Sequence, residues 1–276
     1  MTTKQWISRL LTVGVLLVAP GVQAADTPQY VAMGSSYAAG PGILPMAPGS
    51  PVRCARSSAD YAHVLAQLRR LSLVDVSCSG ATTVDVVHGG QFSLPAQLDA
   101  VTGQTQLVTV TIGGNDVFFM ANLLGLTCQQ RASAACTVRS DADVAARFAS
   151  LADSLRAIVA GVRSRSPGAR VVFVNYFAVL PDHGTCERIA LSAEQADHMR
   201  AVAGQLATIT REVAKATGSG FLDVGLLSRG HDACSKNPWL LGARREPGTL
   251  IPPFHPTKEA MRAVGTALNA YPELLH

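Results

Sequence analysis

Residues 30–40 have the sequence YVAMGSSYAAG, in which an apolar run stops at a glycine and two serines follow. An uninterrupted apolar run such as Tyr30 to Met33 is typical of a parallel β-strand that is covered on both faces. Polar side chains directly after such a strand lie at its carboxyl end, where open α/β sheets form their sites. The stretch therefore predicts an α/β fold, and it raises the question of whether Ser35 or Ser36 takes part in chemistry.

The same alternation of apolar strand and helical pattern continues along the chain. We predict five strands, at residues 30–33, 71–78, 106–112, 170–176 and 220–224. Helices are expected at residues 58–70, 141–165, 192–218 and 257–270, with Ser58 and Ser192 as N-caps of the first and third. Such alternation favours parallel pairing with right-handed crossovers. The expected fold class is a three-layer α/β/α sandwich around a five-stranded, mainly parallel sheet.

Residues 1–24 have the features of a secretory signal peptide. Lys4 and Arg9 flank a short polar stretch, an apolar run follows, and Ala24 ends a small-residue cleavage pattern. The apolar run is short and is broken by proline and glycine, so an uncleaved membrane anchor is the weaker alternative. We expect cleavage near Ala24, export to the periplasm or the cell exterior, and a single domain at residues 25–276.

The charge balance argues against nucleic acid as a partner. The chain has 23 basic and 19 acidic residues, and loss of the leader leaves 21 basic residues and a net charge of +2. The sequence also lacks a basic cluster interleaved with aromatic residues, which is the usual mark of a nucleic-acid-binding surface.

All six cysteines follow the predicted leader, at positions 54, 78, 128, 136, 186 and 234. An even number of cysteines in an exported chain indicates disulfide bonds, although six cysteines permit many pairings. The short spacing from Cys128 to Cys136 suits a local loop and favours sequential pairing. A zinc site is the competing interpretation, but the chain has neither a C-x-x-C motif nor a His/Cys pair at ligand spacing.

Four segments that lie at the expected carboxyl edge of the sheet carry side chains suited to acyl transfer. They are GSSYAAG at 34–40, SCSGATTVD at 77–85, TIGGNDVFF at 111–119 and PPFHPTKEAM at 252–261. Each has a plainer explanation, namely a helix cap, a glycine turn, an Asx turn and a buried histidine. Together they supply a hydroxyl, a base and hydrogen-bond donors, which are the groups that nucleophilic acyl transfer requires.

These segments resemble, in the same order, the four sequence blocks of the SGNH hydrolases, also called GDSL esterases and lipases. The resemblance spans the mature chain and implies the flavodoxin-like α/β/α fold of that family. The first family block is Gly-Asp-Ser followed by an apolar or aromatic residue, which Gly34, Ser36 and Tyr37 match. The resemblance therefore implies Ser36 as the nucleophile, whereas Ser35 stands in the place of the family's aspartate.

The other site residues follow from the same resemblance. His255 is implied as the general base, and the main-chain N–H groups of Ser36 and Gly80, with the Asn115 side-chain amide, as the oxyanion hole. The six cysteines resemble those of the secreted bacterial branch. That branch implies the sequential pairing Cys54–Cys78, Cys128–Cys136 and Cys186–Cys234.

The third member of the catalytic triad departs from the usual family pattern. Many family members have an aspartate three residues before the histidine, but this chain has Pro252 there. Some secreted relatives use a main-chain carbonyl instead, so the resemblance implies a Ser–His dyad with His255 oriented by a carbonyl near Pro252. Four carboxylates remain as outside candidates, those of Asp223, Asp232, Glu246 and Glu259.

The function implied is that of a secreted carboxylic-ester hydrolase, an esterase or lipase with phospholipase A among the candidates, which acts without a cofactor or metal. The expected substrate is a small-molecule or lipid ester. No nucleic acid is expected as a partner, a transient contact with a lipid surface fits this function, and a monomer is expected. Two alternatives stay open, a carbohydrate esterase that removes acetyl groups and a non-catalytic binding module on the same scaffold.

Overall fold

The computed structural model describes residues 1–2, 29–130 and 136–271. The predicted signal peptide and its cleavage site at Ala24 fall almost entirely on residues 3–28, outside the described residues. Among the helices that are described, none is long and apolar enough to cross a membrane.

Five parallel strands form one sheet in the order β2-β1-β3-β4-β5. They are β1 (Gln29–Gly34), β2 (Ser72–Asp75), β3 (Thr105–Thr111), β4 (Arg170–Val174) and β5 (Gly220–Leu222). All five predicted strands are therefore present, with shorter bounds at β2, β4 and β5. The strand order reverses between β1 and β3, and the carboxyl ends of these two strands flank the crevice where ligands bind in such sheets.

Helices cover both faces of the sheet, which confirms the predicted three-layer fold. They are α1 (Ser36–Ala39), α2 (Tyr61–Arg69), α3 (Thr83–Val87), α4 (Phe119–Gln129), α5 (Asp141–Arg165), α6 (Ala193–Ala216), α7 (Val224–Leu227) and α8 (Lys258–Asn269). Helices α2 and α8 pack against each other, and α5 packs against α6. The crossover from β1 to β2 runs in the opposite direction to those from β3 to β4 and β4 to β5. Right-handed crossovers therefore place α2 and α5–α6 on opposite faces.

Strand β1 is apolar from Tyr30 to Met33 because it lies in the core. Every side chain from Tyr30 to Met33 is at most 1% exposed. Two tyrosine hydroxyls in this part of the core are paired, since that of Tyr30 lies 2.6 Å from Thr109 Oγ1 and that of Tyr61 lies 2.9 Å from Thr111 Oγ1. Pairing matters here because a buried hydroxyl without a partner costs free energy.

The N-cap prediction is right for α6 and wrong for α2. The Ser192 hydroxyl accepts the N–H of Gln195, as expected. Helix α2 is instead capped by Asp60, whose carboxylate accepts the His63 N–H at 2.9 Å. Ser58 does not cap the helix, because it lies in the preceding loop and its hydroxyl donates to the Pro45 carbonyl at 3.1 Å.

The three disulfides are those predicted, Cys54–Cys78, Cys128–Cys136 and Cys186–Cys234. Cys54–Cys78 joins the loop after β1 to the turn after β2, and Cys186–Cys234 joins the segments after β4 and β5. Cys128–Cys136 joins the end of α4 to the segment before α5. Native bridges of this kind stabilise secreted domains by about 2–4 kcal/mol each, and Cys54–Cys78 here also fastens the turn after β2 to the loop after β1.

Candidate active site

The turn that carries Ser36 is fixed to the neighbouring strand. Gly34 ends β1 with φ +137°, and a Cβ atom there would lie 2.3 Å from the Thr111 carbonyl oxygen of β3. Only glycine fits at this position, because both the backbone conformation and the space exclude a side chain. The Ser35 N–H then donates to the Thr111 carbonyl at 2.9 Å, and Ser36 begins α1.

A buried glutamine, which the sequence analysis missed, holds the same turn from the other side. The Gly34 N–H donates to Gln97 Oε1 at 2.7 Å, and Gln97 Nε2 donates back to the Gly34 carbonyl at 3.1 Å. Gln97 is 6% exposed and lies 63 residues further along the chain. No local pattern marks it, because its partner is main chain that only folding brings near.

Ser36 and His255, which are 219 residues apart in sequence, form a hydrogen bond in the folded protein. The distance from Ser36 Oγ to His255 Nε2 is 2.8 Å, and both residues are less than a tenth exposed. The His255 Nδ1 atom lies 2.8 Å from the carbonyl oxygen of Pro253. Because a carbonyl oxygen can only accept, Nδ1 carries the proton, and the unprotonated Nε2 accepts the Ser36 hydroxyl.

The carbonyl at Nδ1 therefore belongs to Pro253, and the prediction of Pro252 is wrong by one residue. The Pro252 carbonyl instead accepts the main-chain N–H of His255 at 3.2 Å and closes a turn. Phe254 within this turn has φ +60°, which redirects the chain and turns the Pro253 carbonyl toward the ring. The Tyr37 hydroxyl donates to the Phe254 carbonyl at 2.6 Å and ties this turn to α1.

The environment of His255 favours its neutral form. Burial lowers the pKa of the imidazole below its ordinary value, and the bond to the Pro253 carbonyl opposes this effect only in part. The ring of Tyr37 packs beside the imidazole with 5.4 Å between centroids. At neutral pH the ring is therefore unprotonated at Nε2, which is the state that can take a proton from Ser36.

Ser35 has a different environment from Ser36, although the two are adjacent. Its side chain is 1% exposed, and its Oγ lies 3.3 Å from the hydroxyl of Tyr176. The Tyr176 oxygen accepts the Gly114 N–H at 3.0 Å, so its own proton is available to Ser35. Ser35 thus links the turn after β1 to Gly114 through Tyr176, a residue that the sequence analysis did not single out.

The predicted oxyanion donors belong to turns that meet beside Ser36. The Cys78 N–H donates to the Gly34 carbonyl at 2.9 Å and brings the turn with Gly80, at φ +87°, against the turn after β1. One N–H of the Asn115 amide donates to the Ala81 carbonyl at 2.9 Å, which leaves the second N–H for another acceptor. Within the described part of the chain, the N–H groups of Ser36 and Gly80 have no hydrogen-bond acceptor.

Asp116, next to Asn115, braces the same region. Its carboxylate accepts the main-chain N–H of Thr83 at 3.0 Å and also the Thr83 hydroxyl. Burial raises the pKa of this carboxyl, and the two bonds from Thr83 act in the opposite direction. Asp116 thus connects the turn after β3 to the start of α3, and Asn115 is held between them.

The four outside carboxylates have other partners or lie on the surface. Asp223 pairs with Arg211 and caps α7, the carboxylate of Asp232 accepts the Cys234 N–H at 2.8 Å, and Glu246 pairs with Arg188 at 2.9 Å. Glu259 is exposed in the first turn of α8. In residues 29–130 and 136–271, no carboxylate contacts His255.

One group of side chains with metal-ligating atoms occurs among the described residues, Asp60, His63 and Asp75. The group already has internal partners, since the Asp60 carboxylate lies 3.0 Å from His63 Nδ1 and Asp75 accepts the Ser77 N–H and hydroxyl. Burial and the neighbouring Asp60 raise the pKa of Asp75 to about 7. None of the three contacts Ser36 or His255.

Comparison with known proteins agrees with this geometry. Residues 32–263 match the model of the GDSL-like Lipase/Acylhydrolase family. The chain belongs to this family. Lipase 2 of Streptomyces coelicolor is 34% identical over 255 residues, which cover 85% of this chain and 82% of that protein. This GDSL-like chain is therefore a carboxylic-ester hydrolase, and its fold and sequence blocks are those that the family resemblance predicted.

Two solved structures resemble this GDSL-like hydrolase over most of its length. Phospholipase A1 from Streptomyces albidoflavus superimposes with a TM-score of 0.71 and 26% identity, and it covers 88% of this chain and 99% of its own. The extracellular lipase from Streptomyces rimosus also has a TM-score of 0.71, with 28% identity and the same coverage of both chains. Together with the three disulfides, which form in oxidising compartments, these similarities make the hydrolase a secreted protein.

Proposed function

We propose that this hydrolase cleaves lipid-like esters through an acyl-enzyme on Ser36, with a Ser36–His255 dyad. The observation that carries the proposal is the chain of two 2.8 Å contacts, from Ser36 Oγ to His255 Nε2 and from His255 Nδ1 to the Pro253 carbonyl. Such a chain provides a nucleophile, a base that can accept its proton, and an acceptor that fixes the tautomer of that base.

The chemistry follows from these positions. Ser36 Oγ attacks the ester carbonyl carbon while His255 Nε2 takes the hydroxyl proton, and the carbonyl oxygen becomes an oxyanion. Collapse of the intermediate expels the alcohol, which leaves with the proton from Nε2. Water then attacks the acyl-enzyme with His255 again as base, and the carboxylic acid is released.

Three donors stabilise the oxyanion in this proposal. They are the N–H groups of Ser36 and Gly80, which have no acceptor among the described residues, and the second N–H of the Asn115 amide. Donors held in place before the reaction stabilise charge that develops only in the transition state. The Ala81 carbonyl and the buried Asp116 hold Asn115 and its turn in position.

Replacement of Asn115 by alanine should lower kcat by about 10²–10³-fold with little change in KM, because the donor acts mainly on the transition state. Steady-state kinetics on a soluble ester test this expectation. Gln130, an exposed residue whose side-chain amide donates to Gln195 Oε1, offers a matched control. Its replacement by alanine should leave kcat unchanged. A normal kcat in Asn115→Ala would remove Asn115 from the oxyanion hole.

The pH dependence of kcat/KM should report the lowered pKa of His255. The base must be neutral, so activity is complete at neutral pH and declines as the pH falls through the pKa of the folded protein. Because burial lowers that pKa, the midpoint of the decline should lie below about 6.5, the value for a free histidine. A profile on a soluble ester from about pH 4 to 8 measures it. A midpoint above the free value would contradict this assignment.

The substrate class and the catalytic serine can be tested together. We expect a fluorophosphonate probe to label the protein at Ser36, and we expect hydrolysis of both short-chain esters and phospholipid. A panel that runs from acetate to palmitate esters, beside phospholipid and acetylated xylan, identifies the class. Labelling with turnover of acetylated xylan alone would favour the carbohydrate esterase. Absence of both labelling and turnover would favour a binding module.

The mature protein in this proposal is one domain, residues 25–276, that is released by cleavage after Ala24 and acts as a monomer. The charged start, apolar run and small-residue end of the leader support this, as do the bridges that the domain contains. Amino-terminal sequencing of the exported protein tests the cleavage position, and sedimentation of the mature protein tests the monomeric state. A first residue other than Ala25 would refute the cleavage position.

A further inference from the structure

Some large exposed apolar side chains lie in loops that are bonded to the turns of the candidate site. Among the described residues other than Met1, large exposed apolar side chains occur in the loops after α1 and α3 and before α8, and on helices α2, α3, α4 and α7. Four of them, Leu44, Val52, Phe92 and Leu250, belong to loops that contact the candidate catalytic turns, and we call these four the apolar rim. Their exposed fractions are between 45% and 82%.

Phe92 is the most unusual member of the apolar rim. It is 45% exposed and has φ +53°, and Ser93 beside it has φ +61°. Bulky residues rarely adopt this left-handed conformation, and such strain is found preferentially where a loop has a function. The loop is closed at its base by the Gly90 N–H, which donates to the Leu94 carbonyl at 2.9 Å. A strained tip therefore holds an aromatic ring toward solvent.

The Phe92 loop is connected directly to the proposed oxyanion turn. The amide of Gln91 donates to the Ser79 carbonyl at 2.8 Å, and the position of a Cβ on Gly80 would be 3.4 Å from the same amide nitrogen. The Ser79 N–H donates to the Cys54 carbonyl at 3.1 Å, which joins the segment with Val52 to this turn. Phe92 and Val52 thus form one side of the rim, next to Gly80.

Leu250 and Leu44 form the other side of the rim, next to His255. The Leu250 carbonyl packs so closely on Gly42 that a Cβ there would lie 2.4 Å from its oxygen. Leu44 follows Gly42 by two residues, and Leu250 precedes Pro253 by three. The rim therefore flanks the proposed centre from both the oxyanion turn and the histidine turn.

Three arginines lie in the loops that carry the rim. The Arg53 guanidinium lies 5.3 Å from the centroid of the Phe92 ring, and it has no ion pair among the described residues. Arg244 and Arg245 are exposed in the loop that leads to Leu250, whereas the carboxylate of that loop, Glu246, is paired with Arg188. Apolar side chains beside arginines that have no ion pair among the described residues suit an interface with anionic headgroups and acyl chains.

We propose that the apolar rim is an interfacial anchor that seats the hydrolase on an anionic lipid surface, with Phe92 as its main inserted side chain and Arg53 on the headgroups. This inference rests on the proposed function, because a lipid ester reaches Ser36 from such a surface. It adds which residues make the contact and which lipid charge they select. The hydrogen bond from Gln91 to the Ser79 carbonyl connects the inserted Phe92 loop directly to the turn that contains Gly80.

Vesicle binding tests the anchor without catalysis. The mature chain carrying Ser36→Ala is mixed with vesicles of phosphatidylcholine, with or without phosphatidylglycerol, and binding is measured by co-sedimentation. Phe92→Ala and Leu250→Ala, each added to this parent, should weaken binding about tenfold, since each removes apolar area that the bound protein would bury in the lipid. Arg53→Gln should weaken binding only to vesicles that contain phosphatidylglycerol. Leu68→Ala is the matched control, because Leu68 is 51% exposed near the end of α2, which leads to the amino end of β2.

Several results would overturn the anchor. They are binding by Phe92→Ala as tight as that of the parent, an equal loss in Leu68→Ala, and a parent that does not bind vesicles. Lipid-free dimers that Phe92→Ala disperses would show instead that the rim contacts a second copy. Failure of the proposed function is recognised separately, because the chain with Ser36 intact would then not hydrolyse a dissolved short-chain ester.

Discussion

Replacement of Ser36 by alanine should reduce kcat by about 10⁴-fold or more, because the nucleophile and base of such a site act as a unit. Without the hydroxyl, the base at 2.8 Å has no proton to remove and an acyl-enzyme cannot form. The size of the residual rate depends on what the oxyanion donors achieve with water as the nucleophile. Steady-state kinetics on a soluble ester, with circular dichroism to verify the fold, measure the loss.

The adjacent serine provides the matched control for this prediction. Ser35→Ala removes a hydroxyl that is 3.3 Å from Tyr176 and makes no contact with His255, so substantial activity should remain. A small loss is expected, because Tyr176 also accepts the Gly114 N–H beside Asn115. Mass spectrometry of a fluorophosphonate adduct resolves the two positions, and an adduct on Ser35 would refute the assignment of Ser36.

His255→Ala should cause a loss of similar size, whereas neutralising any single carboxylate should not. The imidazole is the group that receives the Ser36 proton, and its Nδ1–H is held by the Pro253 carbonyl. A carbonyl offers a dipole and not a charge, so it orients the ring but stabilises the imidazolium less than a carboxylate would. The experiment compares kcat of His255→Ala with that of the four amide variants, Asp223→Asn, Asp232→Asn, Glu246→Gln and Glu259→Gln.

An exposed histidine supplies the control for the loss of an imidazole. His88 lies on the surface at the end of α3, and His88→Ala should retain the activity of the parent. One result would contradict the dyad directly. It is a folded amide variant that loses activity by about 10⁴-fold, as happens when a true triad acid is neutralised in a serine protease.

Much of the fold could be predicted because the responsible signals are local. Five apolar, β-branched runs separated by helical patterns are enough to specify a parallel sheet covered on both faces. The cap of α6 at Ser192 is equally local, since the serine and its partner Gln195 are three residues apart. The sequential disulfide pairing was implied by the resemblance of the six cysteines to those of the secreted branch, and it is present. The register of Ser36 followed from the residues on either side of it.

The contacts that position the site could not be predicted, because they join side chains to main-chain groups or hydroxyls that are distant in sequence. Gln97 pairs with both polar groups of Gly34, and Tyr176 connects Ser35 to Gly114, yet neither residue stands in a recognisable pattern. Each is an ordinary buried polar residue whose partner is a backbone group or a hydroxyl. Only the packing of the sheet decides which groups meet.

The carbonyl that accepts from His255 could not be predicted either, although it lies only two residues before the histidine. The sequence alone determined that no carboxylate stands three residues before the histidine, and the family resemblance then implied a main-chain acceptor. It did not determine which carbonyl, because the choice depends on one backbone angle, φ +60° at Phe254. The turn is held by the Tyr37 hydroxyl, which donates to the Phe254 carbonyl from 217 residues away, and by the Phe254 N–H, which donates to the Gly242 carbonyl at 3.2 Å. The residue types at the site were thus set by the sequence, and the choice of the Pro253 carbonyl as acceptor depends on contacts that exist only in the folded chain.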